Sequence, residues 1–287
     1  MAFRIGAAWA PMALASTLWA SALNAQLAPQ NEAGVSIGAV HLIVPDPDSF
    51  GRIWTEVFGL EVSSLGAARL VKLPGIYLVL HQGEPVAGSD GSTVDHEGFL
   101  VPDHEAVRAT LLARGYPITL ENAANRQVTF EFPGGAKFEF SGVDGLEAPI
   151  VHHHVHMFLP EREDLRTWYA DAFGGLTSAR GQFISVIFPA AGPTTGGGAC
   201  REEPGDFRCP RIDFANAQEP RAPNSGRAID RIGFEVGGLD AFLGRLRARG
   251  VTVEVPPEDV PGLGFRRAVV VDPLGTRIEI TQGLSVR

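Results

Sequence analysis

The chain has 287 residues, of which 45% are hydrophobic and 20% are charged, and this balance supports a sizeable core and argues against wholesale disorder. The formal net charge is −9 and no basic stripe interrupts the sequence, which argues against nucleic acid as a partner. We therefore expect a small-molecule substrate rather than a polyanion.

The first 25 residues are typical of a secretory signal peptide. Arg4 gives the N-terminal region a positive charge, and an uncharged apolar segment follows. Small residues then provide cleavage sites after Ala22 or Ala25. A membrane anchor is the alternative, but Pro11 and the many small residues favour cleavage. No later stretch is apolar enough to span a bilayer. We predict an exported protein, periplasmic or extracellular, without a membrane span after cleavage.

Two distant segments of the chain resemble each other, and each predicts a strand that leads into an aromatic-bearing helix. The first covers residues 39–60 and the second residues 154–175. Each predicted helix ends at a glycine, Gly59 or Gly174, which is the residue that most often closes a helix. The two segments therefore predict the same local structure twice.

A second pair of segments alternates with the first. Residues 93–118 and 228–253 each contain an alternating apolar strand, an amphipathic helix and a closing glycine. Each is followed later by a turn and a further strand. The chain thus contains four related modules. Their approximate bounds are 36–90, 91–143, 150–223 and 226–284 for modules 1, 2, 3 and 4.

Module 3 carries an insertion at about residues 188–209, which is too rich in glycine and proline for a regular element. The two cysteines of the chain, Cys200 and Cys209, both lie in it. In an exported protein this pair predicts a disulfide that closes a surface loop. A thiol metal site is the alternative, and it would need more ligands than this segment supplies.

The four strand–helix–strand modules, the opening "DHEGF" (95–99) and the ending "DPLGTRIE" (272–279) resemble the vicinal oxygen chelate (VOC) superfamily. That superfamily includes glyoxalase I, extradiol dioxygenases and the bleomycin- and fosfomycin-resistance proteins. The resemblance covers roughly residues 36–284. It implies an α+β fold in which four βαβββ modules pair into two half-open barrels. It also implies one divalent metal inside a barrel, held by the first and last strands of the modules.

Transferred to this sequence, the resemblance gives one candidate ligand for each of these strands. The first-strand positions of modules 1 to 4 hold His41, His96, His156 and Arg231. The last-strand positions hold Val79, Glu139, Asp213 and Glu279. Two histidines and one carboxylate can bind a divalent ion and leave positions open for substrate and for water or oxygen.

The way in which the modules pair decides which residues meet. Pairing as in the extradiol enzymes gives an N-terminal domain, 36–143, and a C-terminal domain, 150–284. The N-terminal barrel then holds the metal ligands His41, His96 and Glu139. The C-terminal barrel holds His156, Asp213, Arg231 and Glu279. Because a guanidinium cannot ligate a metal, Arg231 would pair with one of these carboxylates or bind an anionic group.

The alternative pairs module 1 with module 4 and module 2 with module 3. His96, Glu139, His156 and Asp213 would then surround one metal, as in the four-ligand glyoxalase pattern. His96 and Glu139 are ligands under both pairings. Strand alternation also places His152 and His154 on the face of His156 and turns His153 away. His154 is therefore a candidate to line the pocket or to support a ligand.

Three functions follow from these sites, and the sequence names no catalytic residue. The slightly favoured one is an extradiol-type dioxygenase that uses Fe²⁺ or Mn²⁺ on a substrate with vicinal oxygens, since Val79 leaves a fourth ligand place empty. The second is a glyoxalase-like lyase or isomerase in which Zn²⁺, Ni²⁺ or Co²⁺ acts as a Lewis acid. The third is a binding or resistance protein without turnover. A homodimer is compatible with all three.

Overall fold

The computed structural model describes residues 27–180, 183–189, 191 and 209–284. The predicted signal peptide, residues 1–25, and most of the predicted insertion lie outside the described residues. Cys209 is buried and disulfide-bonded, and Cys200, the other cysteine of the chain, lies outside the described residues. No helix in the described ranges is long and apolar enough to cross a membrane.

Four modules follow one another, each with the order strand, helix and three strands. Module 1 consists of β1 (Val35–Val44), α1 (Pro47–Phe58), β2 (Glu61–Leu65), β3 (Ala68–Leu73) and β4 (Ile76–Gln82). Module 2 consists of β5 (Val94–Val101), α2 (His104–Ala113), β6 (Ile118–Asn122), β7 (Gln127–Phe132) and β8 (Ala136–Gly142). Module 3 consists of β9 (Val151–Leu159), α3 (Arg162–Phe173), β10 (Leu176–Arg180), β11 (Phe183–Ile187) and β12 (Arg211–Asn216). Module 4 consists of β13 (Ile229–Val236), α4 (Leu239–Ala248), β14 (Thr252–Asp259), β15 (Arg266–Val271) and β16 (Arg277–Gln282).

The strands build two open eight-stranded sheets. One sheet, here called the outer-module sheet, joins modules 1 and 4 in the order β14-β15-β16-β13-β1-β4-β3-β2. The other, the inner-module sheet, joins modules 2 and 3 in the order β10-β11-β12-β9-β5-β8-β7-β6. The predicted α+β architecture of four βαβββ modules in two half-open barrels is confirmed.

The predicted domains 36–143 and 150–284 are wrong in how they pair the modules. The first strand of module 1 pairs antiparallel with that of module 4, and the first strand of module 2 pairs antiparallel with that of module 3. Each barrel therefore takes one module from each half of the chain. The four first strands are all almost wholly buried, so their burial pattern does not distinguish one partner from another.

Helix α1 begins and ends at residues that are typical of helix caps. The side chain of Asp46 accepts a hydrogen bond from the backbone N–H of Ser49, and Pro47 opens the first turn without losing a needed donor. Gly59 ends the helix with φ of 69°, a left-handed conformation that favours glycine. The helix therefore presents Phe50 and Trp54 to the core on one buried face.

Aromatic side chains from the helices join the two sheets into one core. The ring of Trp54 on α1 lies 5.4 Å from that of Phe99 on the inner-module sheet. In the other direction, Phe173 on α3 stacks at 4.0 Å on Phe234 of the outer-module sheet. These rings are fully buried, and truncating such a side chain costs about 3–5 kcal/mol. The half-open barrels are therefore held against each other by packing.

Candidate metal centre

Four of the predicted ligand positions meet in the inner-module sheet. His96 on β5 lies opposite His156 on the antiparallel strand β9. Strand β12 places Asp213 beside His156, and β8 places Glu139 beside Gly98. The four predicted side chains line one cavity of ≈ 1170 Å³. This is the set that the alternative pairing of the modules predicts.

The centre of the site is a histidine cluster formed by His96, His154 and His156, whose ligand nitrogens lie within 4.8 Å of one another. Nδ1 of His156 is 3.0 Å from Nε2 of His96. The Glu139 carboxylate lies 3.5 Å from Nε2 of His96 and 3.8 Å from Nε2 of His154. All four side chains are buried.

A β-bulge in β9 sets the direction of the remaining histidines. Gly98 lies opposite His154 while the next residue, Phe99, lies opposite His152, so His153 is an extra residue on that strand. The extra residue reverses the alternation. His153 lines the cavity with its Nδ1 2.8 Å from Nδ1 of His154, and the ring of His152 packs edge-on against Phe99. The prediction that His153 points away from the pocket, with His152 toward it, is therefore wrong.

One histidine of the cluster is fixed from behind by a carboxylate. Oδ1 of Asp95 lies 2.9 Å from Nδ1 of His96, and Lys137 donates a hydrogen bond to the same carboxylate. Burial alone would lower the pKa of His96, but hydrogen bonds and charges from Asp95 and Glu139 outweigh it and raise that pKa to about 9. The ring is thus oriented with Nε2 toward the cluster, as is usual for metal-binding histidines.

The other two imidazoles of the cluster are neutral. Burial, and then the charge of His96, lower the pKa of His156 to about 3. Burial, and then the neighbouring histidines, hold the pKa of His154 well below its usual value. Glu139 is ionised, because its contacts with His96 lower its pKa despite the opposing effect of burial. Without a bound ion, the cluster therefore pairs one protonated imidazole, His96, with the ionised carboxylate of Glu139.

These residues fit a divalent metal ion. Neutral imidazole nitrogens and an ionised carboxylate are ligands for first-row metals such as zinc, iron, cobalt and nickel, and His96 would release its proton on binding the ion. Nε2 of His154 is buried and has no hydrogen-bond partner among the residues that the structure describes. A buried polar atom without a partner is costly, and a bound ion would satisfy it.

The outer-module sheet contains the positions equivalent to those of the metal site, but different residues occupy them. His41 lies opposite Arg231 on β13 and beside Val79 on β4. Nε2 of His41 is 3.2 Å from Glu279, and Nε of Arg231 is also 3.2 Å from Glu279. Arg231 further lies 3.3 Å from a ring nitrogen of His81. The structure places Arg231 against Glu279, one of its two predicted partners, and because a guanidinium only donates hydrogen bonds, this set does not fit a metal.

The structure does not bring the predicted ligands His41, His96 and Glu139 together. His41 lies in the outer-module sheet, and the other two lie in the inner-module sheet. Asp213 likewise lies apart from Arg231, which removes the second predicted partner for that guanidinium. The reason is the pairing of the modules described above: each barrel combines first strands that are far apart in sequence.

The sequence did not predict the positions of two histidines of the site, His153 and His154, correctly or completely. His153 was placed on the wrong face because a bulge cannot be inferred from alternation. His154 was considered only for lining the pocket or supporting a ligand. The available signals were the density of histidines on one strand and the glycine at position 98, which leaves space on the strand opposite.

Comparison with known proteins agrees with this geometry. Residues 151–280 match the family described as the Glyoxalase/Bleomycin resistance protein/Dioxygenase superfamily. The chain carries a domain of that superfamily. No curated protein sequence matches the chain.

Solved structures resemble the fold of most of the chain. Glyoxalase I from Zea mays superposes with a TM-score of 0.64 at 14% identity, covering 88% of this chain and 94% of its own. A putative dioxygenase from Bacillus subtilis subsp. subtilis str. 168 superposes with a TM-score of 0.60 at 17% identity, covering 89% and 86%. At these identities the likeness shows the fold, and the reaction has to be argued from the site.

Proposed function

We propose that this superfamily member is a metal-dependent enzyme that acts on a small substrate with vicinal oxygens in the cavity of the inner-module sheet. The observation that carries the proposal is the buried histidine cluster beside the ionised carboxylate of Glu139. A divalent ion held there would act as a Lewis acid toward two neighbouring oxygens of a substrate.

The carboxylates of the cavity favour a lyase or isomerase. The preference for a dioxygenase depended on Val79 leaving the fourth ligand place empty, and Val79 lies in the other sheet. In the inner-module sheet that place holds Asp213, so carboxylates face the cavity from both modules, Glu139 from one and Asp213 from the other. A carboxylate near the bound substrate can accept a proton from the carbon next to a carbonyl group.

The walls of the cavity bind and orient the rest of the substrate. Phe158, whose ring centroid lies 4.7 Å from that of His156, and Leu120 offer apolar contact. Gln127 and Arg162 line the same cavity and offer an amide and a guanidinium group. A small molecule with an apolar body and a polar, oxygen-bearing end matches this lining.

An extradiol-type dioxygenase is the second candidate, because His96, His156 and Glu139 still form a set of two histidines and one carboxylate. Iron in the purified protein together with oxygen uptake on catechols would favour it over the lyase. Zinc, cobalt or nickel without oxygen uptake would favour the lyase or isomerase.

The experiment begins with metal analysis of the purified protein and of the Glu139→Gln variant. Small α-hydroxycarbonyl compounds are then incubated with the metal-loaded protein in D₂O, and exchange of the proton next to the carbonyl is followed by NMR. We expect stoichiometric metal and exchange by the wild type, with little exchange by the variant. Protein that binds no divalent metal would contradict the proposal, and it would favour a binding or resistance protein without turnover.

We also propose that residues 1–25 direct export and are removed. The charge at Arg4, the apolar run and the small residues before position 26 support this proposal. The intact mass of protein recovered outside the cytoplasm tests it: we expect a mature chain that begins after Ala22 or Ala25. A full-length chain retained in the cytoplasm would contradict it.

A further inference from the structure

His154 is a buried imidazole that the ligand positions of the resemblance do not account for. It lies two residues before His156 on β9, and its side chain is nearly inaccessible. Its Nδ1 contacts His153, while Nε2 points toward Glu139 at 3.8 Å and has no hydrogen-bond partner in the described part of the chain. The structure therefore holds an imidazole nitrogen inside the cavity without an evident structural use.

The opposite strand makes room for this ring. Gly98 lies directly opposite His154. A Cβ atom built on Gly98 would overlap Cε1 and Nδ1 of the His154 ring, so any other residue at this position would displace the ring. The glycine and the histidine are therefore a matched pair.

The outer-module sheet supplies an internal comparison. There the equivalent glycine is Gly233, and it lies opposite Ala39, two residues before His41. A Cβ on Gly233 would lie 3.2 Å from the Cβ of Ala39, so this pair of strands also packs closely. The outer-module sheet, which contains Arg231, thus has Ala39 at the position where the inner-module sheet has His154.

We propose that His154 is a metal ligand, so that the three imidazoles of the cluster and Glu139 hold the ion while Asp213 stays outside its coordination. This deepens the proposed function and depends on it, since it requires a metal in the cavity. Oδ1 of Asp213 accepts a hydrogen bond of 2.5 Å from Ser185. Among the described residues, the group of ligand atoms within 4.8 Å of one another consists of the three imidazoles, and the Glu139 carboxylate lies 3.5 Å from His96 and 3.8 Å from His154.

The ligand set determines the class of metal. Three imidazoles and one carboxylate offer mostly nitrogen, which suits Zn²⁺, Co²⁺ and Ni²⁺, whereas Mg²⁺ and Ca²⁺ prefer oxygen. Asp213 then remains on the cavity wall as a carboxylate that can accept the substrate proton. In this arrangement His154, on the first strand of module 3, takes the place of Asp213, the ligand that the resemblance implies on the last strand of the same module.

The test measures Zn²⁺ affinity by competition with a chelator, and the visible spectrum of the Co²⁺-loaded protein, for the wild type and three single variants. His154→Ala introduces the residue that the outer-module sheet has at the equivalent position, Ala39. Asp213→Asn is the matched control. His153→Ala removes the partner 2.8 Å from Nδ1 of His154 and should weaken Zn²⁺ by only the roughly 10- to 100-fold typical of such a loss. Circular dichroism and thermal unfolding of the apoprotein check that each variant is folded.

We expect His154→Ala to weaken Zn²⁺ by more than the roughly 10- to 100-fold that is typical when an outer partner of a ligand is lost, and to change the Co²⁺ spectrum. Asp213→Asn should keep both the affinity and the spectrum while losing proton exchange. The opposite pattern, with Asp213→Asn losing metal and His154→Ala retaining it, would overturn the inference and leave the proposed function intact. Wild-type protein without metal would overturn the proposed function itself.

Gly98→Ala provides a second route should His154→Ala fold poorly. The added Cβ displaces the ring of His154 while keeping every metal-binding side chain. We expect it to weaken Zn²⁺ as His154→Ala does, and to have little further effect in the double variant. Equal weakening by Gly98→Ala in the presence and absence of His154 would show that the glycine acts independently of the imidazole, which contradicts the inference.

Discussion

Replacing Arg231 by methionine removes one of the positive charges that stabilise the ionised Glu279 in the core of the outer-module sheet. The Glu279 side chain is 3% exposed, and Arg231 contacts it at 3.2 Å while also pairing with Asp230 at 2.6 Å. Removing one partner of a buried pair costs about 3–5 kcal/mol, because the other charge stays buried. We therefore expect Arg231→Met to lower the free energy of unfolding by about that amount, since methionine preserves most of the volume.

Urea unfolding followed by tryptophan fluorescence measures this change. Arg69→Ala is the matched control, because it breaks the exposed pair with Asp48, which is worth about 0.2–1 kcal/mol. Adding Glu279→Gln to Arg231→Met should recover much of the loss, since a neutral amide is less costly to bury than a charge. A loss below about 1 kcal/mol for Arg231→Met, similar to that of the surface control, would refute the reasoning that the buried charge of Glu279 depends on this guanidinium.

Three further predictions follow from single contacts. Burial raises the pKa of Glu279, but His41 and the nearby arginines outweigh burial and lower it to about 2, so the stabilisation from its ionised form is complete above its usual pKa and is lost as the pH falls toward 2. Urea midpoints measured between pH 5 and pH 2.5 should therefore fall less steeply in Glu279→Gln than in the wild type, and equal slopes would contradict this. Asp95→Asn should weaken Zn²⁺ by roughly 10- to 100-fold through looser orientation of His96, and unchanged affinity in the chelator competition would count against that positioning role. Tyr169→Phe removes the 3.0 Å hydrogen bond to the buried Asp272 and should cost about 1–3 kcal/mol in urea unfolding, whereas a neutral effect would mean that water replaces the hydroxyl.

The sequence by itself determined the elements of the fold. Periodicity, glycine caps and the two pairs of matched segments identify four strand–helix–strand modules, because these signals arise from neighbours in the chain. The resemblance to the VOC superfamily then implied the ligand positions, His96 on a first strand and Glu139 on a last strand. Arg231 departs from that implied metal pattern, since a guanidinium cannot ligate a metal whatever its partners are.

Only the tertiary structure decided which modules share a barrel. The first strands that contain His41, His96 and His156 are all buried along almost their whole length, so each could pair with any other on local grounds. The long-range pairing of β5 with β9 placed His96 against His156 and moved His41 to Glu279 and Arg231. A metal site built across modules therefore depends on contacts that the local sequence does not encode.

The bulge in β9 is the second feature that depends on tertiary contacts, and it sets which histidines face the cavity. One extra residue on a strand reverses the direction of every side chain beyond it, and its position depends on the partner strand rather than on the histidines themselves. Gly98 on that partner leaves the space that the ring of His154 fills. The sequence showed that histidines were abundant here, and the packing of two strands determined which of them face the cavity.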